Sequence, residues 1–137
     1  MATKREQIMT ALLTQVKTVH RYAVRNHPRL VYEDLPACAV WDESRSVVDR
    51  MYNQALNQLT VNIDAAQKLT ASQNPSIVGG QMLGVLIDAL ESGDTTLGGL
   101  CESMVVTTDQ IIYPESGDYV LGVRVVLEIK YKTVRGE

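Results

Sequence analysis

Apolar residues recur at helical spacing along the first segment, where Ile8, Leu12, Val16 and Val19, flanked by Met9 and Leu13, form one stripe. This predicts a helix from about Lys4 to Val19 that buries a single face. Thr3 and Glu6 make a capping box ahead of it, in which a hydroxyl and a carboxylate satisfy backbone donors that the first turn leaves without partners. Arg21 to Arg25 reads as a short strand, and Asn26-His27-Pro28 breaks it because proline disfavours helix at the preceding residue. A second strand opens at Pro36 and runs through Trp41, with Asp42-Glu43 starting a loop. Val47 to Tyr52 and Gln58 to Ala65 read as the arms of an antiparallel pair. In the second arm alternation is strict, with Leu59, Val61, Ile63 and Ala65 on one side and Gln58, Thr60, Asn62 and Asp64 on the other, as expected of a sheet with one wet face.

Asn74 and Pro75 supply an N-cap and a first-turn proline for a second helix, which stops near Ser92-Gly93. Its predicted stripe is Val78, Met82, Val85 and Ala89, flanked by Leu86 and Leu90. Thr95 to Cys101 reads as a turn or short helical piece. Two strands close the chain, Ser103 to Tyr113 and Tyr119 to Thr133, joined by a tight turn at Pro114-Glu115-Ser116-Gly117-Asp118. The last is the cleanest pattern, with Tyr119, Leu121, Val123, Val125, Leu127, Ile129 and Tyr131 against Arg124, Glu128, Lys130 and Lys132, which predicts a long, central strand. The order predicts an α+β fold in two layers, a mixed or antiparallel β-sheet with one face covered by two α-helices, in a single domain spanning residues 1–137.

Composition adds limits. The 137 residues suit one domain, which at this size needs neither metal nor disulfides to hold its core. Only Cys38 and Cys101 are present, so a disulfide scaffold is excluded and free thiols in a reducing cytoplasm are expected. Lys4, Arg5, Glu6 and Gln7 interrupt the first apolar residues, so no signal-peptide core is expected there. The longest uncharged run, Leu69 to Ile87, is broken by polar residues, Pro and Gly and predicts no membrane span.

The net charge of -3 hides a segregation. Residues 1–29 hold six Lys/Arg and one Glu, residues 30–118 three Lys/Arg against thirteen Asp/Glu, and residues 119–137 four basic and two acidic groups. The local balances are therefore +5, -10 and +2. Segregation of this kind suits surfaces that meet other copies or unlike partners, and equally the solvated faces of a monomer.

Candidate chemistry is sparse. His20 and His27 near Glu33 and Asp34 fit no zinc spacing. Cys38 lies in an apolar strand and reads as inert filling. Gly79-Gly80 and Gly84 fall inside a helix, with neither a GxGxxG pattern nor a Walker lysine, so they read as packing positions; Gly80 and Gly84 are expected to open a groove for close approach of another element, from the same chain or a neighbour. Asp88, Glu91 and Asp94 cluster where the helix dipole is already negative, which is mildly unfavourable. They suggest a solvated helix end first, and otherwise a docking patch for the basic first segment of a neighbouring copy or a loose divalent-cation site. Arg21, Arg25 and Arg29, interleaved with His20 and Tyr22, are the best basic-aromatic stretch, but net acidity and the lack of a recognition motif argue against sequence-specific nucleic-acid binding. No constellation points to an enzyme, and no cofactor or metal site is expected.

Five segments together, TKREQIMTALLTQVKTV at the start, DLPACAVWD over residues 34–42, LNQLTVNIDA, DTTLGGLCESM over residues 94–104 and VLGVRVVLEIKYKT at the end, resemble the tail terminator, or minor tail, proteins of long-tailed bacteriophages, the family that includes the phage lambda terminator. The DxTLGGL turn followed by two long strands ending in YKT is the most telling part. The resemblance implies a two-layer subunit assembling as a hexameric ring on the completed tail tube, ending its growth and presenting a surface to the head-completion proteins. It also implies location in the virion tail after assembly in the host cytoplasm, contacts with the major tail tube protein, and no catalytic residues. The sequence has no Phe, leaving Trp41 and six Tyr for aromatic packing. From the residues themselves, Arg21, Arg25 and Arg29 of one copy are expected to face Asp88, Glu91 and Asp94 of the next. A head-closure or adaptor ring between portal and tail is the alternative virion role, and a small-molecule enzyme or ligand-binding domain the alternative class.

Overall fold

The computed structural model describes residues 3–25, 36–114 and 119–134. Arg29, His27, Glu33, Asp34 and residues 115–118 of the last predicted turn lie outside the described residues. The elements are helix α1 (Lys4–Val16), strands β1 (Val24–Arg25), β2 (Ala37–Met51) and β3 (Gln54–Lys68), helix α2 (Pro75–Glu91), and strands β4 (Ser103–Ile112) and β5 (Val120–Val134). The strands form one mixed sheet in the order β1-β2-β3-β5-β4, antiparallel except for the short parallel pair β1–β2. With both helices packed against this sheet, the α+β architecture is as the periodicity predicts.

The alternating residues of β3 and β5 build the core. Leu59, Val61, Ile63, Leu121, Val123, Val125, Leu127 and Ile129 are sealed from solvent, joined by Ile8, Met9, Leu12 and Val16 of α1 and Leu86 and Leu90 of α2. A buried leucine or isoleucine contributes about 1.5–3 kcal/mol relative to exposure, so this aliphatic layer dominates the fold. Tyr131 is the one buried tyrosine among the described residues; Tyr22, Tyr52, Tyr113 and Tyr119 are exposed. Aromatic packing by the tyrosines is thus a minor part of this core.

Several element boundaries differ from expectation. Helix α1 ends at Val16, after which the Thr18 hydroxyl donates to Gln15 O and His20 N to Val16 O, turning the chain and leaving Val19 exposed. The Thr3 hydroxyl accepts from Glu6 N at 3.2 Å, but the Glu6 carboxylate is taken by Arg25 and does not complete the box. In α2 the buried stripe is Val78, Met82, Leu83, Leu86 and Leu90, and Val85 faces outward. Gln15 Nε2 donates to Ala89 O at 2.9 Å, tying the helix ends together.

The largest difference lies in the middle of the chain. The two strands and the intervening loop expected before residue 54 are one continuous strand, β2, which pairs with β3 through a two-residue turn at Tyr52-Asn53. Register shifts between Asp42 and Ser44 and between Val47 and Asp49 break the period-two pattern, because each extra residue swaps the faces of everything beyond it. Strand β2 is exposed from Glu43 to Met51.

Candidate functional site

Four alternating charges join α1, β1 and β2. Arg25 grips the Glu6 carboxylate through Nη1 at 2.6 Å and Nη2 at 3.1 Å, and reaches Asp42 Oδ1 at 3.4 Å. Arg5 binds Asp42 Oδ2 through Nε at 2.7 Å and a second guanidinium nitrogen at 2.5 Å. The Arg25 hydrogen bond holds the Glu6 carboxyl below its ordinary value. For Asp42 burial pushes the other way but is outweighed by the Arg5 hydrogen bond, a backbone donor and both cations, so its carboxyl is also held low. Arg25, expected to face a neighbouring copy, is therefore used inside the protomer; Arg21 is exposed.

The acidic cluster divides. Asp94 belongs to a turn: it accepts from Thr96 N at 2.9 Å, the Thr96 hydroxyl at 2.7 Å and Gly98 N at 2.8 Å. These bonds, the Thr96 hydroxyl first, hold its carboxyl below the ordinary value. Leu97 enters the core at φ 50°, and Gly98 and Gly99 follow at 72° and 88°. The DTTLGGL wording thus has a local cause, a capping aspartate, a buried anchor and two left-handed positions that favour glycine. Asp88 and Glu91 are exposed and enter no ion pair with a described residue.

The glycines also divide. A Cβ on Gly79 would lie 2.9 Å from Ile111, so this glycine is where α2 and β4 approach closely. Gly80 and Gly84 have no atom of a described residue within 4 Å of such a Cβ. They lie on the outward face of α2 with exposed Ile77 and Val85, and the groove they form is not filled by the protomer's own described residues.

The hairpin tip was not singled out by sequence reasoning. Its helix-facing side encloses a concavity of about 640 Å³, lined by Arg45, Val47, Arg50, Tyr52, Asn57 and Thr133 among others. Asn57 is fully buried, its amide donating to Thr133 Oγ1 at 2.8 Å, while its Oδ1 has no hydrogen-bond partner among the described residues. Tyr52 is fully exposed, and Val47, Val48 and Met51 are exposed around it. The signal available in the sequence was the run Val47, Val48, Met51, Tyr52, whose apolar residues break the alternation of a strand with one buried face.

Conventional chemistry is thinly represented. Burial pushes the Cys38 thiol up to about 12, with help from the Asp64 charge, and Cys101 to about 11, with help from Asp94 and Glu102. Both thiols are free and buried, and poor nucleophiles in consequence. His20 Nδ1 lies 2.6 Å from the Tyr22 hydroxyl, and burial lowers the pKa of the imidazole. Among the described residues no group of His, Cys, Asp and Glu could hold a metal ion, and no helix is long and apolar enough to cross a membrane. No protein-family model matches the chain, and neither does any curated protein.

Proposed function

We propose that this protein is a structural virion component of the tail terminator type, which caps the completed phage tail tube as an oligomeric ring and forms the joint to the head-completion proteins. The reading is non-enzymatic, and the ring is hexameric if the resemblance holds for stoichiometry. Its partners are further copies of itself, the major tail tube protein and a head-completion protein. The observation that carries it is the hairpin tip, where Val47, Val48, Met51 and Tyr52 stay exposed to solvent at the end of the sheet, uncovered by the described residues of the protomer. Contiguous exposed apolar residues mark interaction surfaces. The exposed, glycine-smoothed face of α2 is a second surface of the same kind, and the two-layer fold agrees with the one the resemblance implies.

Electron microscopy of particles from a strain lacking the gene tests the role. Tails of uncontrolled length beside full heads are expected. Tails of normal length with heads that leak DNA would reject the terminator role in favour of head closure.

A further inference from the structure

We propose that the hairpin tip of one copy receives the outward face of α2 from the next copy, with Arg50 set against Asp88 and Glu91. The inference rests on the ring reading and names the contact that builds the ring. It replaces the Arg21–Arg29 segment with the hairpin as the basic partner, because Arg25 is held by Glu6 and Asp42 inside the protomer.

Three observations select a second copy as the occupant. The first is charge: Arg50 lines the hairpin concavity, whereas Asp88 and Glu91 are exposed and unpaired by any described residue. The second is shape. The outward face of α2 runs Ile77, Gly80, Gln81, Gly84, Val85, Asp88 at helical spacing, all exposed, and the two glycines remove the side chains that would hold its backbone away from a receiving surface. A helix laid into a groove is an established mode of recognition, and close approach at small residues strengthens it; here the groove mixes Arg50, Asn53 and Gln54 with Val47, Met51 and Tyr52. Val47 and Tyr52 supply apolar contact for Ile77 and Val85. The third is topology. The hairpin and the helix face are different patches of one chain, so their pairing is heterologous, and a heterologous contact generates a closed ring when its rotation closes. Such a contact leaves each copy with one hairpin and one helix face, both used.

Because the two patches differ, charge reversal gives a complementation test. Arg50→Glu and the helix-side variant Asp88→Lys/Glu91→Lys are each assayed by sedimentation velocity, with thermal melts by circular dichroism to establish that each protomer folds. Each variant alone is expected to self-associate at least tenfold more weakly than the parental protein. Mixing the two in equal amounts is expected to restore assembly, since the carboxylate introduced on the hairpin then meets the ammonium groups introduced on the helix, while the native pair forms at the alternate contact. A chain carrying all three substitutions is expected to assemble by itself. Parental assembly that either variant retains, or variants that melt normally yet fail to complement, would overturn the docking and leave the ring reading standing. A parental protein that is monomeric at every concentration and salt would remove the ring reading and the docking with it.

Discussion

Asp64 and Arg124 face each other across β3 and β5, with Asp64 Oδ1 2.6 Å from Arg124 Nε and Oδ2 3.2 Å from a terminal guanidinium nitrogen. Trp41 Nε1 donates to the same carboxylate at 2.9 Å, and the guanidinium lies 5.7 Å from the Trp41 ring centroid. The pair occupies the sheet face opposite the helices, where alternation predicts solvated polar residues, yet Asp64 is only 3% exposed. Asp64→Ala leaves a guanidinium and an indole N–H without their shared acceptor. A loss of about 2–3 kcal/mol is expected, less than the cost of breaking a fully buried pair because Arg124 is partly exposed. Urea denaturation of the purified variant measures it. Arg124→Lys should also be destabilising, since lysine cannot present the fork that binds both carboxylate oxygens.

The three glycines of α2 should respond differently to alanine. At Gly79 the added methyl meets Ile111 at 2.9 Å, and overpacking of about 1–3 kcal/mol outweighs the gain in helix propensity. Gly80→Ala and Gly84→Ala meet no described residue of the protomer and should each stabilise it by roughly 0.5–1 kcal/mol. Thermal melts of protein held dissociated give both signs. If the hairpin of a second copy docks there, the same two substitutions weaken assembly while raising the melting temperature of the protomer.

In the turn after α2, Gly98→Ala and Gly99→Ala should each cost about 1–2 kcal/mol from backbone conformation alone, since no described residue crowds either position. Leu97→Ala should be more damaging, because it removes a core side chain at about 2–5 kcal/mol. Asp94→Ala should destabilise as well, through the three hydrogen bonds it leaves unmade. Chemical denaturation of the set establishes the order.

Acid should weaken the protein in two stages. His20 has a lowered pKa in the folded state through burial, so below its ordinary value of 6.5 the unfolded chain takes up the proton more readily and stability declines as pH falls. Glu6 and Asp42 are held below their ordinary 4.5 and 3.8, so their contribution is complete above those values and is lost as pH drops further. Melting temperature against pH should therefore show a shallow fall below 6.5 and a steeper one below 4.5. Glu6→Gln should flatten part of the second.

Cys38 and Cys101 should be inert to a thiol reagent at neutral pH in the folded protein, with ionisation pushed to about 12 and 11 by burial first. Both should react at once in denaturant. Reaction of either cysteine in the native state at the rate of a free thiol would contradict their burial.

Much of the fold was legible because β3 from Leu59 to Ala65 and β5 from Leu121 to Tyr131 carry an apolar residue at every second position, and the two strands pair along their whole length. The helices were legible through Thr3, Asn74 and Pro75, whose side-chain chemistry acts within one turn. What escaped was non-local. Two bulges in β2 disguised one long strand as two short ones and a loop. The capping partner of Thr3 went instead to Arg25, nineteen residues away, a choice made by the meeting of α1 with β1. Of the residues proposed for contact with a neighbour, Arg25 and Asp94 are engaged within the protomer, while Asp88, Glu91, Gly80 and Gly84 remain on its surface.

The sequence by itself determined which residues must be hidden, since a period of two or of 3.6 places apolar side chains on one face whatever lies opposite. It also determined the turn at Asp94, where three successive left-handed residues need two glycines and a cap. Only the tertiary structure decided which charges are engaged inside the protomer and which stay outside. An ion pair depends on distances between elements far apart in the chain, and no local pattern encodes them.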